Sequence, residues 1–179
     1  MKKIVYQGKI IEVVQEEVEA NGKTKTFEFA RRSPGTRLII QKGDKVLITK
    51  EFRRELNAYD YRLPGGKVFD SLDEYNTALE SGVDIALAAK QAAIKEGKEE
   101  VGVVAKDLSL FHRSVCGATV EWDLFYFVVK DFEETEQNLE GGEDISVEWI
   151  DKEEAKKMCL DGRISEERSA LVLLRYLNN

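Results

Sequence analysis

Ala92-Ala93-Ile94-Lys95-Glu96-Gly97-Lys98-Glu99-Glu100-Val101-Gly102-Val103 is the stretch whose reading decides the rest of this chain. At 3.6 residues per turn, Glu96, Glu99 and Glu100 stand at i, i+3 and i+4 and share one face of a helix. Ala86, Leu87, Ala93, Ile94, Gly97 and Val101 fall on another sector, which is expected to face the core. Three carboxylates this close repel one another, and helix propensity calls for no such arrangement. A divalent cation removes the penalty, because hard cations such as magnesium take oxygen ligands of this kind. Gly97 costs about 1 kcal/mol relative to alanine inside a helix, so close packing or the close approach of another group must explain it. A solvated Lys/Glu face would give the same letters, and the motif therefore needs its context.

Upstream of the helix, which is expected from about Val83 to Val101, the chain reads as strands. Ile4 to Val18 and Thr24 to Ala30 alternate apolar and polar residues around the turn dipeptide Asn21-Gly22. Arg37–Gln41 and Lys45–Thr49 flank a second hairpin signal, Lys42-Gly43-Asp44, and Ser33-Pro34-Gly35 marks a break between the two pairs. Asn57 to Asp73 is a loop by composition, with Leu63-Pro64-Gly65-Gly66 at its centre. Downstream, Leu108–Val115, Trp122–Lys130 and Ile145–Ile150 read as strands, with an acidic loop from Asp131 to Asp144. Two helices close the chain, Asp151–Leu160 and one from Ser165 through Leu177. This order implies an α+β or α/β sandwich and excludes a doubly wound parallel fold.

The 179 residues suffice for one sizeable core. Lys plus Arg number 27 against 34 Asp plus Glu, a net charge of −7 that disfavours nucleic acid as a partner. A phosphorylated small molecule stays compatible with that charge, since acidic residues can hold a cation that inverts the local field. Cys116 and Cys159 are too few for a disulfide framework, and no apolar run approaches a membrane span, so a cytoplasmic protein without a membrane partner is expected.

The helical run resembles the C-terminal half of the Nudix box, G-x5-E-x7-R-E-U-x-E-E-x-G-U with U apolar. Glu96, Glu99, Glu100 and Gly102 match its RE, EE and G positions, Val103 closes it, and Leu63-Pro64-Gly65-Gly66 resembles its glycine-rich entry. Ile48-Thr49-Lys50-Glu51-Phe52-Arg53-Arg54 and Ser114-Val115-Cys116-Gly117-Ala118-Thr119-Val120-Glu121 resemble segments of the ADP-ribose pyrophosphatases within that family. So do Glu143-Asp144-Ile145-Ser146-Val147-Glu148-Trp149 and Asp161-Gly162-Arg163-Ile164. The chain departs from the pattern in three ways. Lys95 replaces the arginine, Gly97 replaces an apolar residue, and Gly66 and Lys95 stand 29 positions apart where the family has 14, an insertion of 15 residues. Leu87 occupies the place of the first box glutamate, for which Glu80 or Asp84 are the available substitutes. Ser71–Gly82 is then an inserted loop or helical extension.

The resemblance implies a Nudix-like α/β/α sandwich with a mixed β-sheet over residues 36–179. An N-terminal antiparallel strand arm over 1–35 would serve dimerisation and substrate binding. It implies hydrolysis of a nucleoside diphosphate linked to another moiety, most closely ADP-ribose or a nucleotide sugar, with Mg2+ or Mn2+ as cofactor and a homodimer as the working form. A Nudix-fold module that binds nucleotides with little catalysis is the alternative. Glu96, Glu99, Glu100 and the Gly65 carbonyl would hold the metal, and Glu100 would take part in catalysis. Glu143, or else Glu140, would be the base. Arg53, Arg54 and Gly66 would meet phosphate or ribose, while Phe29 and Arg31 would clamp the base; for Phe27 and Phe29 a buried strand face is the other reading. His112 reads as a strand residue, Cys116 as packing, and Trp122 and Trp149 as core or interface.

Overall fold

The structure is a computed structural model that describes residues 2–54, 56–139 and 144–179. Three N-terminal strands, β1 (Lys2–Gln7), β2 (Glu12–Ala20) and β3 (Lys23–Arg31), pair antiparallel and form one small sheet. A two-residue strand from later in the chain, β8 (Val120–Glu121), runs parallel to β3 and completes it in the order β1-β2-β3-β8. Asn21 and Gly22 both adopt positive φ, 54° and 71°, as the expected tight hairpin turn requires. The alternating run Ile4 to Val18 is two strands rather than one. The Gly8 N–H donates to Ile11 O at 2.8 Å, reversing the chain so that Ile4 pairs with Val14. Alternation survives such a turn, so periodicity alone could not reveal it.

The second sheet comprises β4 (Gly35–Lys42), β5 (Lys45–Arg53), β6 (Ala58–Arg62), β7 (Val103–Ser114), β9 (Leu124–Glu134) and β10 (Ile145–Asp151). Its order is β10-β5-β4-β9-β7, with β6 added on β5, and it is mixed because β4 and β9 run parallel. Helix α2 (Ile85–Val101) covers one face; α3 (Lys152–Leu160) and α4 (Glu167–Leu177) cover the other. Along β4, Leu38 and Ile40 pack toward α2 while Ile39 packs toward α3 and α4, so its run of apolar residues reflects burial on both faces. This is the expected α+β sandwich. Two loop assignments change: Asn57 to Asp73 contains β6, and Asp131 to Glu134 belongs to β9.

The inserted segment folds as helix α1 (Leu72–Glu80), capped by Ser71, whose hydroxyl accepts from the Glu74 N–H at 3.2 Å. It docks on the N-terminal strands: Gln7 Nε2 donates to Asp73 Oδ1 (3.1 Å) and Asn76 Nδ2 to Glu12 Oε2 (3.1 Å). Asp84 is the N-cap of α2, accepting from the N–H groups of Ala86 and Leu87. The buried stripe of α2 is Ala89, Ala93, Gly97 and Val101, at strict four-residue spacing. Leu87 (54% exposed) and Ile94 (38%) lie outside it, contrary to the expected core sector. The stripe is made of small residues because the helix lies close on the sheet. A Cβ on Gly97 would stand 3.0 Å from Leu38 Cδ1 and 3.2 Å from Val103 O, which accounts for the helical glycine.

Candidate active site

β4 and β5 pair only at the base of their hairpin, Gln41 with Val46 and Lys42 with Lys45. Toward the start of β4 the neighbouring position is taken by the glycine-rich segment instead. Thr36 N–H donates to Gly66 O (2.9 Å) and Leu38 N–H to Pro64 O (2.8 Å). A cavity of about 310 Å³ opens there, bounded by this segment, the ends of the strands and the carboxylate face of α2. Its volume is in the range of small-ligand sites.

Gly65 is the hinge of this arrangement. Its φ is 138°, and a Cβ would collide with the Thr36 carbonyl and the Arg37 backbone. Its N–H donates to Glu100 Oε2 at 2.7 Å, and its carbonyl accepts from Arg37 Nη1 at 3.2 Å. The turn is thus clasped between a carboxylate and a guanidinium. Gly66 lies against Glu96, whose carboxylate occupies the space a Cβ would need. Glu99 is 3.6 Å from Lys95 Nζ, and its field, helped by Asp70 and Glu96 against a small desolvation, raises the Lys95 pKa.

Glu96, Glu99, Glu100 and Gly65 all line the cavity and offer only oxygen donors, the type that suits Mg2+ or Mn2+. Among the described residues no group of three His, Cys, Asp or Glu side chains is gathered as a ready-made metal site. Glu100 instead faces the Gly65 N–H and Glu99 faces Lys95, so the donor types fit the cation and the side chains must turn to meet it.

Arg53 also lines the cavity, with Nη2 on Glu51 Oε2 at 2.7 Å and Nε buried without a partner. Arg54 is exposed and lies outside the cavity wall. Phe29 and Arg31 do not reach it within this chain: Arg31 Nε donates to the buried Glu12 at 2.6 Å, and Lys2 sits over the Phe29 ring. Phe27 is 54% exposed rather than core, because its side of β3 is left uncovered. Cys116 is exposed and packs no core. Trp149 is half-buried and stacks on Phe132, and His112 lies in β7 as expected.

Glu140 and Glu143 lie outside the described residues. The segments that flank them are tied to the end of α2: Asn138 N–H donates to Glu99 O (3.0 Å), and Gln137 Nε2 reaches both Glu100 O (2.6 Å) and Ile145 O (3.3 Å).

The sequence reading missed Arg32, Arg37, Lys67, Asp70 and Trp122 as cavity residues. Trp122, read as core or interface, is instead half-buried between two guanidinium groups, Arg32 at 4.4 Å and Arg168 at 4.3 Å from its ring. Arg37 carried a usable signal, since a charge at the head of a strand buried on both faces demands a partner. Its burial depresses the guanidinium pKa, against the opposing fields of Tyr126, Glu100 and Glu166.

Among solved structures, one titled "Crystal structure of ADP compounds hydrolase" superposes with a TM-score of 0.71 at 19% identity, covering 98% of this chain and 90% of that one. The two chains therefore share one α+β fold. The family model described as the NUDIX domain matches residues 31–170, so the chain belongs to that family and is a Nudix pyrophosphohydrolase. A curated relative, the ADP-ribose pyrophosphatase of Bacillus subtilis (strain 168), is 26% identical over 182 residues, 98% of this chain and 89% of that protein.

Proposed function

We propose that the chain cleaves the pyrophosphate bond of a nucleoside diphosphate linked to a second moiety, with ADP-ribose or a related nucleotide sugar as substrate and Mg2+ or Mn2+ as cofactor. One observation carries this reading: a single cavity is lined by Glu96, Glu99 and Glu100 on one side and by Gly65, Gly66 and Arg53 on the other. The name of the Bacillus subtilis relative supports the choice of ADP-ribose. Glu96, Glu99, Glu100 and the Gly65 carbonyl would hold the metal, which when bound supplies charge neutralisation and a more acidic water. Glu100 is already anchored on the Gly65 N–H, which fixes the helix against the turn that receives the phosphates. Arg53, and with it Arg54 at the end of β5, would hold phosphate or the terminal ribose, arginine being matched to such oxygens. For the base we assign Glu143, with Glu140 as its alternative; the ties from Gln137 and Asn138 to the end of α2, with Gln137 also reaching the Ile145 carbonyl, support a base from this stretch.

The arm of residues 1–35 would make the protein a homodimer and present Phe29 and Arg31 to the partner's cavity. The exposed apolar side chains of its strands, Ile4, Tyr6, Val18 and Phe27, support this role. Among the described residues no helix is long and apolar enough to cross a membrane, and the two free cysteines favour a reducing, cytoplasmic setting. The test is incubation of ADP-ribose and nucleotide sugars with Mg2+ or Mn2+, reading released phosphomonoesters. No release from any member of the panel overturns the reading, and a monomer mass by light scattering at micromolar concentration overturns the dimer.

A further inference from the structure

Arg37 is a buried cation with no ion-pair partner among the described residues. It lies near the start of β4, is 8% exposed, and lines the cavity, so the little surface it keeps belongs to the cavity wall. Nη1 donates to the carbonyls of Thr36 (2.7 Å) and Gly65 (3.2 Å). Among the described residues no carboxylate forms an ion pair with Arg37, and neither Nε nor Nη2 donates to any of them. Most arginines around it differ in this respect; the exception is Arg32 on the same cavity wall, which stacks on Trp122 with its Nε buried and without a partner among the described residues. Arg31 pairs with Glu12, Arg53 with Glu51, Arg62 with Asp60 and Arg168 with Glu166.

Burying an unpaired guanidinium is strongly unfavourable, and two neutral carbonyl acceptors cannot replace an anion. Glu100 uses an oxygen on the Gly65 N–H, Glu166 is engaged by Ser169 and Arg168, and both act on Arg37 through their fields. A fold that keeps such a charge at the wall of a solvent-reached cavity leaves a place for an anion brought by the ligand. The unused donors have the rigid fork that matches two oxygens of one phosphoryl group.

We propose that Arg37 binds a phosphoryl group of the substrate, which enters as its counter-ion across Gly65 from Glu100. The inference rests on the reading of this cavity as a site for a phosphate-bearing substrate. It adds a fixed protein cation to that site, so part of the grip on the phosphates is independent of metal. Gly65 then has two roles, since the same turn that anchors Glu100 also aims Arg37.

The test is calorimetric titration of the full-length protein with ADP in excess chelator, with adenosine as the uncharged control. Arg37→Met should weaken ADP binding about ten- to a hundredfold, the loss typical of a charge-assisted hydrogen-bonded pair, and leave adenosine unchanged. Arg37→Lys, which keeps the charge without the fork, should fall between wild type and Met. Arg37→Gln, which can still donate to the Gly65 carbonyl, should be as weak as Met. Wild-type affinity for ADP in Arg37→Met or Arg37→Gln overturns the proposal, as does equal loss of ADP and adenosine binding. Failure of the wild type to bind ADP in chelator overturns it too. If wild type binds ADP through Arg37 yet hydrolyses no member of the substrate panel, the hydrolase reading has failed and this one stands.

Discussion

The two walls of the cavity are built in opposite ways. The acidic wall comes from five consecutive residues of one helix, with Glu96, Glu99 and Glu100 brought together by the helical period alone. The basic wall comes from the loop before β4, the start of β4, the end of β5 and the turn after the glycines: Arg32, Arg37, Arg53 and Lys67. No local pattern unites those four; only the pairing of Pro64–Gly66 with the start of β4 does. A wall made by secondary structure is written in a short word, whereas a wall made by topology is scattered over the chain. The acidic wall should therefore fail through single carboxylates, and the junction between the walls through backbone.

The largest effect is expected at the acidic wall. Glu100→Gln removes a charged ligand and leaves an amide oxygen that can still accept from the Gly65 N–H. Turnover should drop by at least about 100-fold, beyond the 10–100-fold typical when only a ligand's supporting partner is lost. Omission of Mg2+ and Mn2+, or excess chelator, should abolish turnover while circular dichroism stays unchanged, because α2 is anchored through its apolar stripe. Steady-state kinetics against divalent concentration checks both, and wild-type turnover in Glu100→Gln would remove the site from this helix.

The junction sharpens the comparison through two adjacent glycines. At Gly65 an added methyl meets the Thr36 carbonyl and the Arg37 backbone, neither of which can retreat, and φ is 138°. Gly65→Ala should lose about 2–4 kcal/mol of stability, from positive-φ strain plus overpacking. At Gly66 the same methyl meets only the flexible carboxylate of Glu96. Gly66→Ala should keep its melting temperature within a few degrees and lose activity, because the carboxylate is pushed off its position. Thermal melting and turnover measured on both variants test this split. A Gly66→Ala protein as unstable as Gly65→Ala would show that Glu96 is as fixed as backbone.

Much of this contrast could be read in advance, for a physical reason. The three glutamates, the Pro64-Gly65-Gly66 entry and the Asn21-Gly22 turn are local signals, set by helix period and by backbone conformations that favour glycine. The apolar face of α2 was read less well. Hydrophobicity alone puts Leu87 and Ile94 in the core, yet the face that packs is chosen by closeness to β4, which small residues allow and large ones prevent. Phe27 shows the converse: Phe-Glu-Phe alternation marks a strand face but does not say whether another layer will cover it. Arg37 shows in the sequence only as a charge at the head of an apolar strand; its role depends on which carbonyls and carboxylates the fold leaves nearby, and no local pattern states that.

Gly97 tests that account of α2. Helix propensity alone gives Gly97→Ala a gain of roughly 0.5–1 kcal/mol. The new methyl would stand 3.0 Å from Leu38 Cδ1, in a core where Leu38 is fully buried and has no room to move. Overpacking costs about 1–3 kcal/mol, so the net should be a loss of about 1 kcal/mol. Denaturant unfolding that found Gly97→Ala more stable than wild type would mean the helix is free to lift from the sheet.

The smallest effect lies on the acidic wall itself, in the absence of metal. Glu99→Gln removes the contact with Lys95 Nζ at 3.6 Å, an i, i+4 pair at the surface. Such pairs contribute about 0.3–0.5 kcal/mol to a helix. The same substitution removes the repulsion between Glu99 and Glu96, three residues away on one face, which opposes the helix by roughly 0.2–0.5 kcal/mol. Gain and loss are of one size, so the melting temperature in chelator should shift by no more than about 2 °C, since 1 kcal/mol corresponds to about 2–4 °C in a chain this long. Added Mg2+ should then separate the proteins: a cation drawn to the three carboxylates stabilises wild type by mass action and Glu99→Gln less. Equal stabilisation of both by Mg2+ would mean that Glu99 is a solvated side chain held by Lys95, and that the metal is met by Glu96 and Glu100 without it.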